Sequence, residues 1–335
     1  MSDSRFDVLE SVDVAPLFAG DDVGRRACGE EMLQAFVRSN GFVARHFPHA
    51  ESIDEQVTSV LDFFSLPEKQ RMCLATRRYR PDASHCYRGF FPLPRERGWA
   101  HNEIFDFGPA KVSRAPTAHP VKVFLEESNQ WPSREPHPGW RNEAEALYVA
   151  LRNTAATIMR ELAVALDGEA ESFMVRFADD NGTLRILHYP SPPEDFVAAD
   201  VDSLPERVDV AGRRIITRRH VDACALSVLW QDAVGGLQYE DRDGSWQEVP
   251  AGGGRLSVHA GSALELMSGG RIVSTPHRVV GTGQDRCSMG FFLEPMFSAT
   301  ITTTASGECI TYADHMKDDF ADLEVYASVM GDSVV

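Results

Sequence analysis

No stretch of this chain is apolar for the roughly 20 residues that a bilayer span needs, and no tract is repetitive or of low complexity. Positive charge is also scarce. Lys and Arg number 33 against 50 Asp and Glu, for a net charge of −17. That balance excludes non-specific binding to nucleic acid or to an anionic membrane, because both need a basic face. The six cysteines, Cys28, Cys73, Cys86, Cys224, Cys287 and Cys309, are scattered and form no CxxC pair. Such spacing excludes a disulfide framework or zinc knuckle and fits free thiols in a reducing cytoplasm. The opening Met-Ser-Asp-Ser-Arg-Phe-Asp carries acid and no apolar run, so no secretory signal is expected and a cytoplasmic location is. No glycine-rich phosphate loop occurs, so neither a flavin nor a nicotinamide site is expected.

What remains is the composition of a soluble globular protein, with 43% hydrophobic and 25% charged residues over 335 positions. This length can bury one large core or two ordinary ones. The first third reads as mixed. A strand is expected over 8–14, and a helix over 21–40 opened by Asp21 and Asp22, with Met32, Leu33, Phe36 and Val37 as its apolar stripe. A short strand at 41–44 and a helix at 51–64 follow. Residues 77–139 read as long connections with short strands, and loops of that length are often functional. Helical spacing returns over 140–166 and stops at Gly168.

The second half reads as β-rich, with strands at 183–189 and 225–230. A hairpin, 236–240 with 246–249, turns on Asp243-Gly244. Further strands are expected at 255–259, 263–267, 272–280, 286–294 and 298–304, and a helix over 312–330. Many short antiparallel strands at regular spacing suggest a sandwich or jelly roll.

Within that half stands His220-Val221-Asp222. On a strand, residues i and i+2 share a face, so an imidazole and a carboxylate can meet one ion. His277, in the strand-like run Ser274-Thr275-Pro276-His277-Arg278-Val279-Val280, offers a third donor. Two histidines and one carboxylate form the facial triad of non-haem Fe(II) oxygenases, which leaves positions on the metal open. Zinc accepts the same donor types.

The stretch from His220 to Pro295 resembles the iron- and 2-oxoglutarate-dependent dioxygenases of the isopenicillin-N-synthase-like family. The likeness is carried by His220-Val221-Asp222, Val234-Gly235-Gly236-Leu237-Gln238, Asp243-Gly244-Ser245-Trp246, the His277 run, Arg286-Cys287-Ser288 and Phe291-Phe292-Leu293-Glu294-Pro295. Upstream, Gly41-Phe42, Phe63-Phe64-Ser65-Leu66-Pro67, Arg88-Gly89-Phe90, Glu103-Ile104-Phe105-Asp106-Phe107 and Asn129-Gln130-Trp131-Pro132 extend it over nearly the whole chain. The resemblance implies a mainly β fold with flanking helices, a distorted double-stranded β-helix (jelly-roll) core. It implies one oxygenase domain over 1–335, with a helical and loop region at 1–140 and the jelly roll at 180–305. It further implies Fe(II) on His220, Asp222 and His277, 2-oxoglutarate on Arg286, Ser288 and Tyr189, and dioxygen as the oxidant. The outcome is hydroxylation, desaturation or ring closure of a small molecule of specialised metabolism.

Two departures from the family pattern stand near the site. Leu187 replaces an asparagine two positions before Tyr189, and His259-Ala260-Gly261-Ser262 replaces Asn-x-Gly-Asp. Arg185, Arg88 and His259 are the candidate substrate contacts, and the arginines tilt the substrate toward an anion. Arg88, Arg95 and Arg97 read otherwise as solvated loop charge. Arg185 shares a strand face with Tyr189 and needs a buried acid or the substrate as partner. Cys224 and Cys287 read as small apolar fillers. Two alternatives stay open: an oxidase of the same family that consumes no 2-oxoglutarate, and a non-catalytic binding protein on the same scaffold.

Overall fold

The computed structural model describes residues 9–93, 101–110, 127–191 and 208–322. The chain first lays β1 (Ser11–Asp13) and then α1 (Asp22–Ser39), and returns as β2 (Gly41–Arg45) parallel to β1. Helix α1 starts where the Asp21 carboxylate accepts the Val23 and Gly24 amides, and ends where Asn40 turns left-handed at φ 58°. Helix α2 (Ile53–Leu61) buries Ile53, Val57 and Val60. Strands β3 (Gly89–Phe91) and β4 (Glu103–Phe107) precede the long α3 (Trp140–Asp167), which Gly168 ends at φ 80°. Trp140, Leu147, Leu151, Ile158 and Leu162 form the buried stripe of α3, which packs across two central strands, β7 and β12, given below.

The remaining strands are β5 (Thr183–Tyr189), β6 (Ile215–His220), β7 (Leu226–Gln231), β8 (Leu237–Glu240), β9 (Trp246–Glu248), β10 (Leu256–Ala260), β11 (His277–Val280), β12 (Arg286–Leu293), β13 (Thr300–Thr303) and β14 (Cys309–Thr311). They form an eight-stranded sheet ordered β1-β2-β10-β7-β12-β5-β4-β3, a four-stranded sheet ordered β6-β11-β8-β9, and the β13-β14 pair. Thus the first 140 residues supply both flanks of the large sheet. The small sheet faces the large one, and Tyr189, Ile216, Leu237 and Val279 pack between them. This is the expected mainly β architecture, with the two sheets consistent with a double-stranded β-helix core. Helix α5 (Tyr312–Asp322) follows β14. Among the described residues no helix is long and apolar enough to cross a membrane.

Three sequence expectations need correction. Residues 263–267, expected as a strand, lie in α4 (Ser262–Met267). Ser-Ala-Leu-Glu-Leu-Met is too short for its period to separate helix from strand. Contacts decide it: the Ser262 and Ala263 amides donate to the Asp222 and Ala223 carbonyls. Gly261 permits that approach, because a Cβ there would run into the Cys224 carbonyl oxygen. Of 272–280, only His277–Val280 is strand. Pro276 has no amide to pair, although its carbonyl accepts from Glu240 N at 2.8 Å.

The third correction is Arg88, which is 2% exposed and so is no solvated loop charge. The Glu127 carboxylate accepts the Cys86, Tyr87 and Arg88 amides and folds this loop inward. The guanidinium donates to Thr183 Oγ1 at 2.9 Å and lies over the Tyr87 ring at 4.9 Å. It fits because Gly108 has no Cβ, which would stand 2.5 Å from Nη2. The Thr183 hydroxyl in turn donates to Glu294 Oε1 at 3.2 Å. Arg95 and Arg97 lie outside the described residues.

Glu294 is 4% exposed. Burial pushes its carboxyl up to about 7, against the pull of Arg88 and the Thr183 hydroxyl. Its folded value thus lies above the ordinary value of 4.5. The folded state holds this proton more tightly, so the stabilisation is complete below pH 4.5 and is lost as pH rises through 7. The expected loss between those values is about 3 kcal/mol. Urea denaturation at pH 5 and pH 8 should show that fall in wild type and a flatter profile in Glu294→Gln. An identical fall in the variant assigns the slope elsewhere.

Candidate metal centre and its cavity

His220 is the last residue of β6, and Asp222 lies two residues beyond it, just ahead of the bend at 223–225 that leads into β7. The pair therefore does not share a strand face as the spacing suggested. The chain's exit from β6 turns the carboxylate toward the imidazole. Ser227 at the start of β7 fixes it by donating its hydroxyl to Asp222 Oδ2 at 2.5 Å. His277 opens β11 directly opposite His220. Donor atoms of the three side chains all lie within 4.8 Å of one another.

The tautomers follow from the backbone. His220 Nδ1 lies 2.9 Å from the Arg218 carbonyl, and His277 Nδ1 lies 3.0 Å from the Thr275 carbonyl. A carbonyl only accepts, so each Nδ1 carries the proton. Each Nε2 is then the basic nitrogen, and it faces Asp222, at 3.9 Å for His220 and 3.7 Å for His277. Metal-binding imidazoles are commonly oriented in this way. Burial, reinforced by neighbouring His277, pushes His220 down to about 4, so its ring is neutral at neutral pH. Burial raises the Asp222 carboxyl, but the two imidazoles and the Ser227 hydroxyl outweigh it and leave it below the usual value. Two imidazoles that each present Nε2 and one carboxylate form a donor set that suits Fe(II) with open positions.

The same cavity, of about 80 Å³, is also lined by Tyr189, Arg286 and Ser288. Arg286 and Ser288 do share a face of β12, two residues apart, and pair with Tyr189 and Leu187 on β5. Arg286 is 2% exposed. Nε donates to the Gly235 carbonyl at 2.8 Å, Nη2 to Gln231 Oε1 at 3.3 Å, and the guanidinium lies 4.3 Å from the Tyr189 ring centroid. Its Nη1 is buried with no hydrogen-bond partner. An orphaned charged donor at a cavity wall suits an anionic ligand. Gln231 was missed by sequence reasoning, as was Ser227. Both hold other side chains in place, and only the cross-strand register brings them there.

Arg185 also lines the cavity, and its partner is an acid. Nε and Nη2 meet Asp106 Oδ1 and Oδ2 at 2.9 and 2.7 Å. The Asp106 side chain is 0% exposed. Removing one member of such a pair strands the other charge. Arg185→Leu should therefore lose about 3–5 kcal/mol of stability, and Arg185→Leu with Asp106→Leu should regain most of it. Chemical denaturation of the two single variants and the double variant checks this. Equal losses in the double and single variants would contradict it.

The other two substrate candidates do not line this cavity. Arg88 is held at the far end of β5, as described. His259 sits behind His277, with ring centroids 5.1 Å apart. It is 1% exposed, has no hydrogen-bond partner at either ring nitrogen, and burial pushes it down to about 3. Leu187 does line the cavity, where the family pattern has asparagine. Cys224 is buried, and burial raises the Cys287 thiol to about 12, so neither is an activated nucleophile.

The sequence profile of the 2OG-Fe(II) oxygenase superfamily matches residues 173–295. The isopenicillin N synthase of Amycolatopsis lactamdurans is 27% identical over 322 residues, covering 92% of this chain and 94% of that protein. The 2-oxoglutarate-dependent dioxygenase frbA of a Dothideomycetidae species is 24% identical and covers 81% of this chain and 78% of that protein. Among solved structures, a full-length Neurospora crassa protein in complex with alpha-KG superposes with a TM-score of 0.72 at 19% identity, over 91% of this chain and 93% of that one.

Proposed function

Because the chain carries a 2OG-Fe(II) oxygenase domain, we propose that it is an oxygenase whose metal is held by His220, Asp222 and His277 and whose co-substrate is clamped by Arg286, Ser288 and Tyr189. The observation that carries this reading is the orphaned Arg286 Nη1 on the wall of the cavity that the three metal-type side chains also line. When bound, Fe(II), 2-oxoglutarate and dioxygen supply the oxidising power to functionalise an unactivated C–H bond, with release of succinate and CO2. The chain's own part is placement. Two backbone carbonyls aim the imidazoles, Ser227 holds the carboxylate, and Gln231 with the Gly235 carbonyl holds the guanidinium. Ile104, Leu187, Leu237, Val279 and Phe292 make the cavity walls apolar and exclude water.

The substrate is a small molecule. An anionic group on it would meet Arg185, which is 27% exposed at its side chain and is already steadied by Asp106. A second reading is favoured by the long match to isopenicillin N synthase and by Leu187. In that reading the chain is an oxidase that consumes no 2-oxoglutarate. Anaerobic titration of the Fe(II)-loaded protein with 2-oxoglutarate separates the two. A visible metal-to-ligand charge-transfer band supports the oxygenase; bound iron with no band favours the oxidase.

A further inference from the structure

Two polar side chains in the same cavity have no assigned role. Thr217 is 3% exposed, and its hydroxyl is buried without a hydrogen bond. Asn102 is 7% exposed. Both line the cavity. Thr217 lies in β6 of the small sheet and Asn102 just before β4 of the large one, and they are neighbours because His101 N donates to the Ile216 carbonyl at 3.0 Å across the seam. Burying the Thr217 hydroxyl unpaired costs about 1–3 kcal/mol, which a bound ligand can relieve.

Their depth identifies that ligand. His277 pairs with His220 on one side and Tyr239 on the other; two residues along β11, Val279 pairs with Thr217 and Leu237. The Thr217 level therefore lies about 6.6 Å from the metal-facing level, at roughly 3.3 Å per residue. Arg286 is at the Thr217 level, because Gln231 Oε1 accepts from both Arg286 Nη2 and Leu237 N. A five-carbon 2-oxo diacid has carboxyl carbons about 5 Å apart when extended, for four bonds of about 1.5 Å. With its 2-oxo acid end at the metal, its distal carboxylate reaches this level. A carboxylate offers about four lone-pair sites. Arg286 Nη1, Ser288, Thr217 and Asn102 are four donors.

Resting on the function proposed above, we infer that Thr217 and Asn102 complete the clamp on the distal carboxylate of the co-substrate, as positioning residues additional to Arg286 and Ser288. Thr217 reaches the cavity through a bulge. It is three residues from His220 and on a regular strand would face away, but β6 takes three residues where β11 takes two, and the extra residue restores the facing.

The test compares 2-oxoglutarate with 2-oxopentanoate, which has the same chain length and 2-oxo acid end but no distal carboxylate. Fe(II)-loaded wild type, Thr217→Val and Thr217→Ser are titrated anaerobically with each acid while the charge-transfer band is followed. Thr217→Val should need about tenfold more 2-oxoglutarate, a factor worth about 1.4 kcal/mol, and no more 2-oxopentanoate. Thr217→Ser should stay within about twofold of wild type. The inference is overturned if Thr217→Val matches wild type with 2-oxoglutarate, or weakens both acids alike. No band in wild type would remove the co-substrate reading and this inference together, whereas a wild-type band with an unchanged Thr217→Val removes the inference alone.

Discussion

Asp222→Ala should abolish iron binding and turnover while the chain still folds. The carboxylate is the one anion in the three-residue set, so its loss leaves two imidazoles whose rings stand 4.1 Å apart. Substitutions of groups that only orient metal ligands cost about 10–100-fold in affinity, and loss of a ligand should exceed that. The expected result is less than a tenth of wild-type iron content after gel filtration, with activity below detection. Folding should survive, because the Ser227 hydroxyl retains Cys224 Sγ as a partner at 3.2 Å. Measurements of iron content, turnover and melting temperature check this together. Wild-type turnover in Asp222→Ala, His220→Ala or His277→Ala would remove that residue from the metal site.

Arg286→Ala should leave the iron and lose the co-substrate. The guanidinium is fixed at Nε, at Nη2 and by the Tyr189 ring, and Nη1 alone is unsatisfied. A hydrogen bond to a charged group contributes about 1.5–3 kcal/mol. The loss of a buried charge opposite a carboxylate lies at the upper end, or roughly 100-fold in the 2-oxoglutarate requirement. Arg286→Lys should not restore it, because an ammonium cannot satisfy Gly235, Gln231 and a carboxylate in one plane. The titration used for wild type measures this, with iron content as the control. An unchanged requirement would place 2-oxoglutarate elsewhere in the protein.

Much of this was legible in the residues. Helix α1 could be bounded because Asp21 and Asn40 are local caps, and α3 because its apolar stripe and Gly168 are local too. Arg286 and Ser288 share a face because side chains alternate along any strand, and β12 is long enough to keep that alternation. The identities of the three metal-type side chains and of the clamp are likewise properties of the sequence. So is the net charge of −17, a sum that folding does not change.

Tertiary structure decided where charge is buried and which polar groups meet. Arg88 looks like a surface residue until Glu127, 39 positions away, folds its loop inward. Arg185 finds Asp106 across 79 positions through the β4–β5 register. Gln231 holds Arg286 from 55 positions away. The end of β6 at His220, before Asp222, and the bulge that turns Thr217 inward break the two-residue period from which strand faces are read. Local patterns report on neighbours in the chain, because they arise from backbone geometry. Pairing between sheets depends on which strands lie side by side, and here that order, β10-β7-β12-β5-β4, is far from sequence order.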